Sequence, residues 1–150
     1  MFHLPETDKI RFCERHRILG NLLYEEGLLP KAAEQYQTAL SYYEYCFPED
    51  DETQRSLDTV RYAALCNISL CYCRMGLLRE AEAAATQAVR ESEDRRSTLP
   101  EVARAKAYYR RAQVHRKLDD YESAMADLRR VLALCPDDPA AKQELSLAQV

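Results

Sequence analysis

Residues 67–88 have the sequence NISLCYCRMGLLREAEAAATQA, in which one helix-forming stretch ends at a glycine and a second, alanine-rich stretch follows. Two further stretches, GNLLYEEGLLPKAAEQYQTA at residues 20–39 and RRAQVHRKLDDYESAMADLRRV at residues 110–131, have the same arrangement. An alanine opens the second half of each: Ala32, Ala81 and Ala124. Five positions before each alanine stands a turn residue: Gly27, Gly76 and Asp119. Because small residues let helices cross closely, the pattern predicts one helix–turn–helix unit repeated three times.

Helix breakers are scarce in the 150 residues, with only three glycines and six prolines, and we expect them to mark helix ends. Ala, Leu, Glu, Arg and Gln are abundant and favour helix, so the predicted fold class is all-α. Seven helices are predicted, at about residues 7–26, 29–46, 53–74, 78–93, 100–117, 121–134 and 139–150. We expect an acidic, solvated loop at residues 47–52 and a break at residues 95–99.

The composition limits the classes of function. Charged residues make up 31% of the chain and the formal net charge is −4, which argues against a general nucleic-acid surface. No apolar run approaches the length of a membrane span, and the N-terminal residues lack the basic and apolar segments of a signal peptide. We therefore expect a single domain in the cytoplasm, or also in the nucleus, without membrane insertion and without a nucleic-acid partner.

The six cysteines do not suggest a disulfide framework or a metal site. Cys66 and Cys73 fall on apolar helical faces, so we expect reduced and mostly buried thiols. Cys71 and Cys73 lack the two-residue spacer of a zinc or redox pair, and no histidine cluster completes a site. The sequence also offers no nucleophile–base pair and no phosphate-binding loop. We predict no metal, no cofactor and no enzymatic activity in this chain.

The three units resemble tetratricopeptide repeats, over about residues 10–150. Such repeats recur about every 34 residues, whereas the three helix-opening alanines are 49 and 43 residues apart, so the helices and connections between repeats must be longer. The resemblance implies repeats at about residues 10–46, 53–93 and 100–135, followed by a capping helix at about 138–150. It also implies a right-handed superhelical array, whose concave peptide groove is lined by the first helix of each pair.

If the repeats stack in register, five polar side chains converge on that groove: Arg17, Asn21, Asn67, Lys106 and Arg110. Arg17 and Asn21 are four residues apart on one helix face, and Lys106 and Arg110 have the same spacing on another. Three cations and two amides, with no acid among them, suit carboxylate ligands. Arginine can hold a carboxylate with two parallel hydrogen bonds, lysine adds a point charge, and asparagine adds donors.

This set of residues resembles the two-carboxylate clamp of co-chaperone tetratricopeptide domains, whose pattern is Lys-x-x-x-Asn, Asn and Lys-x-x-x-Arg on the first, third and fifth helices. Four of the five positions are identical, and Arg17 replaces a lysine. The resemblance implies a co-chaperone adaptor that binds the acidic Glu-Glu-Val-Asp tail of the ninety- or seventy-kilodalton cytosolic heat-shock chaperones. The long connections and the third helix pair are similar to those of large immunophilins, the macrolide-binding prolyl isomerases, although no isomerase domain fits in this chain.

Two alternatives remain open at this point. The chain could instead be a repeat scaffold that binds an internal segment of a different partner, with the five polar side chains incidental. Tyr24 and Tyr72 could form an apolar pocket for the valine of the peptide, or could pack between helices. His16 and His115 have no carboxylate at a meaningful spacing, so we expect packing or solvent contact for both.

Overall fold

The computed structural model describes residues 4–94, 97 and 99–149, and these residues form seven α-helices. The helices are α1 (Glu6–Glu25), α2 (Leu29–Tyr43), α3 (Asp51–Arg74), α4 (Leu78–Glu93), α5 (Glu101–Lys117), α6 (Tyr121–Leu134) and α7 (Pro139–Gln149). The all-α prediction is confirmed for the described residues, and none of their helices is long and apolar enough to cross a membrane. Within the predicted break at residues 95–99, Arg95, Arg96 and Thr98 lie outside the described residues.

The helix ends lie close to their predicted positions, and the differences have local causes. The bounds of α4 and α6 are as predicted. α3 begins at Asp51 rather than at Thr53, because the Asp50 carboxylate accepts a hydrogen bond from the Thr53 amide at 2.6 Å and caps the helix. Part of the predicted acidic loop is therefore a helix cap and a first turn, where negative charge is favourable. α2 ends at Tyr43, earlier than the predicted end at Cys46.

Each of the three helix pairs turns through the same backbone motif. The turn residues have positive φ angles: Gly27 at 81°, Gly76 at 80° and Asp119 at 61°. In every case the turn residue donates its amide to the carbonyl three residues earlier, and the next residue donates to the carbonyl five residues earlier, over 2.9–3.2 Å. These two bonds define the Schellman motif, which satisfies carbonyls at the end of a helix. Glycine adopts this conformation without strain, and aspartate is among the few other residues that tolerate it.

Close helix crossings follow directly after these turns. Ala32, Ala81 and Ala124 are completely buried, so each second helix begins against the first with only a methyl group between them. Gly20 has a related role, contrary to the expectation that every glycine marks a helix end. It lies inside α1, and a Cβ atom there would stand 2.7 Å from the Tyr36 ring. The small side chains thus set the distance between helices within each pair.

The helices form two layers. α1, α3, α5 and α7 are neighbours in that order, each in contact with the next member of the series. α2, α4 and α6 each pack between two members of this first layer, and within the described ranges their backbones do not approach one another, although Arg130 of α6 reaches Glu93 of α4 at 3.6 Å. A layer whose helices touch is shorter than a layer whose helices are splayed apart. The surface formed by α1, α3 and α5 is therefore the concave one.

A buried polar network joins the second helix pair to the third. Arg111 holds the buried Asp127 carboxylate with two hydrogen bonds, of 2.7 and 3.0 Å. His115 lies between two acids, with Nδ1 3.0 Å from Asp127 and Nε2 3.1 Å from Glu82. The expectation that His115 has no carboxylate partner is wrong, because its partners come from α6 and α4 rather than from nearby positions in the sequence. The pKa of His115 is raised above its ordinary value, chiefly by the hydrogen bond to Asp127. Burial acts on this pKa in the opposite direction.

The turn geometry predicts the effect of substitutions at Gly76. A Cβ atom at this position would have no other atom within 4 Å, so only backbone strain opposes a side chain. We expect Gly76→Ala to lower the free energy of unfolding by about 1–2 kcal/mol, the cost of the left-handed conformation for an ordinary residue. Gly76→Asp introduces the residue type found at Asp119 in the third turn. It should lower the free energy of unfolding by less than Gly76→Ala does, although aspartate has the poorer helix propensity. Urea denaturation measures both, and equal losses would contradict the strain argument.

The His115 network predicts a specific pH dependence of stability. A histidine whose pKa is raised on folding stabilises the fold below its ordinary pKa of about 6.5, and the contribution disappears as the pH rises through the folded pKa. The difference in unfolding free energy between the wild type and His115→Gln should therefore widen as the pH falls from about 8.5 to about 5.5, an interval that includes the ordinary pKa of histidine. Denaturation curves across this series test the prediction. A gap that is constant with pH would show that His115 does not gain a proton on folding.

Candidate functional site

The two asparagines expected in the groove are in direct contact. Asn67 on α3 donates from Nδ2 to Oδ1 of Asn21 on α1, over 3.1 Å. The Tyr36 hydroxyl, from α2, donates to the same Oδ1 atom over 2.5 Å. Both hydrogen bonds are accepted by the carbonyl oxygen of the Asn21 amide. Its Nδ2 group therefore points away from Tyr36 and Asn67, and its two N–H groups are available to another acceptor. The Asn67 amide likewise has a second N–H beyond the one that it gives to Asn21.

The position of Tyr36 explains why Asn21 is oriented in this way. Tyr36 is 1% exposed, and its ring lies directly against Gly20, the residue before Asn21. Burial raises the pKa of Tyr36 well above its usual range, so its hydroxyl stays protonated and remains a donor. The positive charge of Arg17 acts on the Tyr36 pKa in the opposite direction, which places Arg17 near the same group. Tyr36 thus orients Asn21, a role that its helical spacing alone does not distinguish from simple packing.

Arg17 has an acidic partner within its own helix. Its Nε and Nη2 atoms lie 2.8 and 3.1 Å from the two carboxylate oxygens of Glu14. This bidentate hydrogen bonding raises the pKa of Arg17. No acid is among the five predicted residues, but Glu14, three positions before Arg17, holds one of their three cations. Glu25 also lies beside the asparagines, in the lining of a small cavity that contains both of them.

Lys106 and Arg110 lie one turn apart on α5, as their spacing predicts. Lys106 is exposed and has no ion-pair partner among the described residues. Arg110 is half-buried, and its Nη1 donates to the Gln113 side chain over 3.1 Å. The buried Nε of Arg110 has no hydrogen-bond partner in the described part of the chain. An unpaired buried N–H is costly, so this atom has an unmet capacity to bind an acceptor.

Four of the five predicted residues line two cavities, two residues in each. The first, of about 220 Å³, is lined by Asn21, Tyr24, Glu25, Tyr36, Asn67 and Leu70. The second, of about 300 Å³, lies between α5 and α7 and has Lys106 and Arg110 in its lining. These two cations also affect the pKa of Cys66, the neighbour of Asn67 on α3. Burial raises the pKa of the Cys66 thiol to about 11, and the positive charges of Lys106 and Arg110 oppose this rise.

The two tyrosines considered as peptide contacts occupy different surroundings. Tyr24 lines the cavity that contains both asparagines, and the Arg74 guanidinium lies over its ring at 5.0 Å from the centroid. Tyr72 is not among the residues that line this cavity. Its hydroxyl accepts a hydrogen bond from the Gln37 side chain of α2, and its ring packs against the core. Leu70, three residues after Asn67 on α3, is an apolar cavity residue that no sequence motif singles out.

The orientation of Asn21 leads to a matched pair of substitutions on α2. Tyr36→Phe removes one of the two donors to Asn21, so we expect a loss of about 1 kcal/mol in unfolding free energy. The matched control is Tyr43→Phe, because Tyr43 is also buried and its hydroxyl has no partner among the described residues. That variant should be neutral or slightly more stable. Chemical denaturation compares the two, and equal effects would contradict the role assigned to the Tyr36 hydroxyl.

Comparisons with known proteins agree with the repeated helix pairs of the fold. Residues 105–138 match the family model of the tetratricopeptide repeat. The human peptidyl-prolyl cis-trans isomerase FKBP4 is 28% identical over 130 residues, which are 87% of this chain and 26% of that protein, so the chain spans about a quarter of its length.

Two solved structures share the fold. The first tetratricopeptide domain of Spaghetti (RPAP3), bound to the HSP90 peptide SRMEEVD, has a TM-score of 0.64 and 24% identity, with 93% of this chain and 91% of that chain covered. The second such domain of human RPAP3, in complex with the HSP70 peptide SGPTIEEVD, has a TM-score of 0.65 and 22% identity, with coverages of 97% and 99%. The helix order, the repeated turns and these matches lead to one conclusion: residues 105–138 match the tetratricopeptide repeat, and the described residues have the fold of tetratricopeptide-repeat domains.

Proposed function

We propose that this domain is a non-catalytic interaction module that binds the acidic Glu-Glu-Val-Asp tail of a cytosolic heat-shock chaperone through a two-carboxylate clamp. The observation that supports it most directly is the joined pair of amides, Asn21 and Asn67, with Arg17 on one side and Lys106 and Arg110 on the other. An aspartate at a chain terminus has two carboxylates side by side, and this set supplies donors for both. Such a partner also implies that the module acts in the cytoplasm.

Asn21, Lys106 and Arg110 each have a defined task in the proposed clamp. Asn21 presents its Nδ2 group because its carbonyl oxygen is occupied by Tyr36 and Asn67. Lys106 provides an exposed positive charge, and Arg110 provides guanidinium donors whose Nε is unpaired among the described residues. Hydrogen bonds between charged groups are shorter and stronger than neutral ones, so the carboxylates of the tail are the groups that these donors favour.

The bond between Arg17 and Glu14 limits how Arg17 can take part. The Glu14 carboxylate occupies the same two donors that a peptide carboxylate would use. A peptide must therefore displace Glu14, or bind Arg17 through a remaining N–H. The internal acid lowers the affinity of the free domain for carboxylates, because one opposite charge must be exchanged for another.

The relatives support the chemistry of the ligand and leave its source open. Two domains of the same fold were solved with peptides that end in Glu-Glu-Val-Asp, one from HSP90 and one from HSP70. Because the two tails share their last residues, the clamp does not distinguish between them. Residues upstream of the shared tail must determine which chaperone is preferred. We expect modest affinity that weakens with salt, since few residues and several charge pairs provide it.

The alternative function is a scaffold that binds an internal segment of another partner. Tyr24, Leu70 and the apolar lining between α5 and α7 suit side chains of any extended peptide. Such a ligand would not need a free terminal carboxylate. The need for a free C-terminal carboxylate on the peptide therefore distinguishes the two functions.

Calorimetric titration with a peptide that ends in Glu-Glu-Val-Asp, beside the same peptide amidated at its C-terminus, tests the proposal. We expect binding of the free acid and at least tenfold weaker binding of the amide, because one charged hydrogen-bonding group contributes about 1.5–3 kcal/mol. Lys106→Ala and Arg110→Glu should reduce the affinity by a similar factor. The matched control is Lys31→Ala, an exposed cation on α2, which should bind as the wild type does. Equal binding of both peptides, or no binding, would overturn the proposal.

The same titration resolves the role of Glu14. Glu14→Gln removes the competing charge and should increase the affinity severalfold, whereas Arg17→Ala should decrease it. If the wild type binds the free acid but neither variant changes the affinity, Arg17 lies outside the clamp and the remaining four residues hold the peptide.

A further inference from the structure

The outward face of α1 is apolar and has no covering element among the described residues. Four large apolar side chains are well exposed there: Phe12 (38%), Ile18 (48%), Leu19 (42%) and Leu22 (54%). Together with Arg15 and His16 they line a shallow hollow of about 410 Å³. Their spacing places them on one side of the helix, away from α2 and α3. Contiguous apolar surface of this kind is unusual on a domain that acts alone, and it commonly marks an interaction surface.

The unpaired charges on this face are sorted along the helix. The acids of its first half, Glu6, Asp8 and Glu14, each lie within 3.9 Å of a basic residue of α1. Within the described residues Arg15 in the first half, and Glu25 and Glu26 at the end, are exposed and have no ion-pair partner. The unpaired charge is therefore basic towards one end of the apolar patch and acidic towards the other. Such a surface is complementary to itself when one copy is reversed.

We propose that α1 is the contact surface of a symmetric dimer of this chain, in which the two α1 helices pack antiparallel. A two-fold axis midway between Leu19 and Leu22 sets Leu19 of each copy against Leu22 of the other and brings the apolar side chains together. The same axis sets Arg15 of each copy against Glu26 of the other. A parallel arrangement would place like charges together, so the charge order selects the antiparallel one.

The size of the surface determines how strong the dimer is. One helix from each copy forms the contact, which puts it at the small end of specific interfaces. We expect a dissociation constant on the order of 10–100 µM, since small interfaces are weak and exposed charges add little energy. The charged pairs specify the orientation, and the apolar centre supplies most of the affinity.

Sedimentation velocity over a concentration series from about 1 to about 500 µM, a range that brackets weak interfaces, tests the proposal. The wild type should shift from monomer towards twice the monomer mass. Leu19→Asp should stay monomeric over the whole range, because it puts a charge at the centre of the contact. The matched control is Leu147→Asp at the end of α7, where the leucine is 52% exposed, and it should dimerise normally. Circular dichroism confirms that the variants are folded.

Charge reversal separates this interface from any other mode of association. Arg15→Glu and Glu26→Arg should each weaken the dimer about fivefold or more, by setting like charges against each other, and the double variant should recover it. A wild type that stays monomeric at every concentration would overturn the proposal. So would a dimer that Leu19→Asp leaves unchanged, or one that the double reversal does not restore.

Discussion

The distance between paired helices is the constraint on which the other features depend. Ala32, Ala81 and Ala124 are completely buried at the start of each second helix, and no larger side chain fits that contact without moving the helix. The turn before each alanine is equally restricted, because its left-handed backbone fixes the direction in which the next helix leaves. Tight pairs built in this way can stack, and their stacking produces an inner layer in contact and an outer layer that is splayed.

The polar groove is a consequence of this packing. The close approach of α2 to α1 at Gly20 brings the Tyr36 hydroxyl to the Asn21 carbonyl, and contact between α1 and α3 brings Asn67 to the same atom. An amide that is anchored on its carbonyl side exposes its N–H groups. The groove thus presents donors because the core orients them, and it needs no rearrangement of Asn21 to meet an acceptor.

Local patterns in the sequence are sufficient for the fold, since helix breakers, buried alanines and turn residues act over short distances. They also point to the five polar residues of the proposed clamp, whose spacing follows helix geometry, and the membership of these residues in one site stays a prediction. They fail where partners are distant in sequence: His115 finds Asp127 and Glu82 only after α4, α5 and α6 have packed. They fail as well at Glu14, although it lies only three residues from Arg17, because the choice between facing the groove and bonding a neighbour depends on rotamers.

The central claim is that the side-chain amides of Asn21 and Asn67 bind the carboxylates of a peptide terminus. Nitrogen–proton NMR correlation spectra observe these NH₂ groups directly during a titration with a peptide ending in Glu-Glu-Val-Asp, once Asn21→Ser and Asn67→Ser have assigned them. The account predicts that both NH₂ signals shift downfield and saturate together with the backbone signals of α1, α3 and α5. It would be contradicted if the peptide bound while both NH₂ signals stayed unchanged.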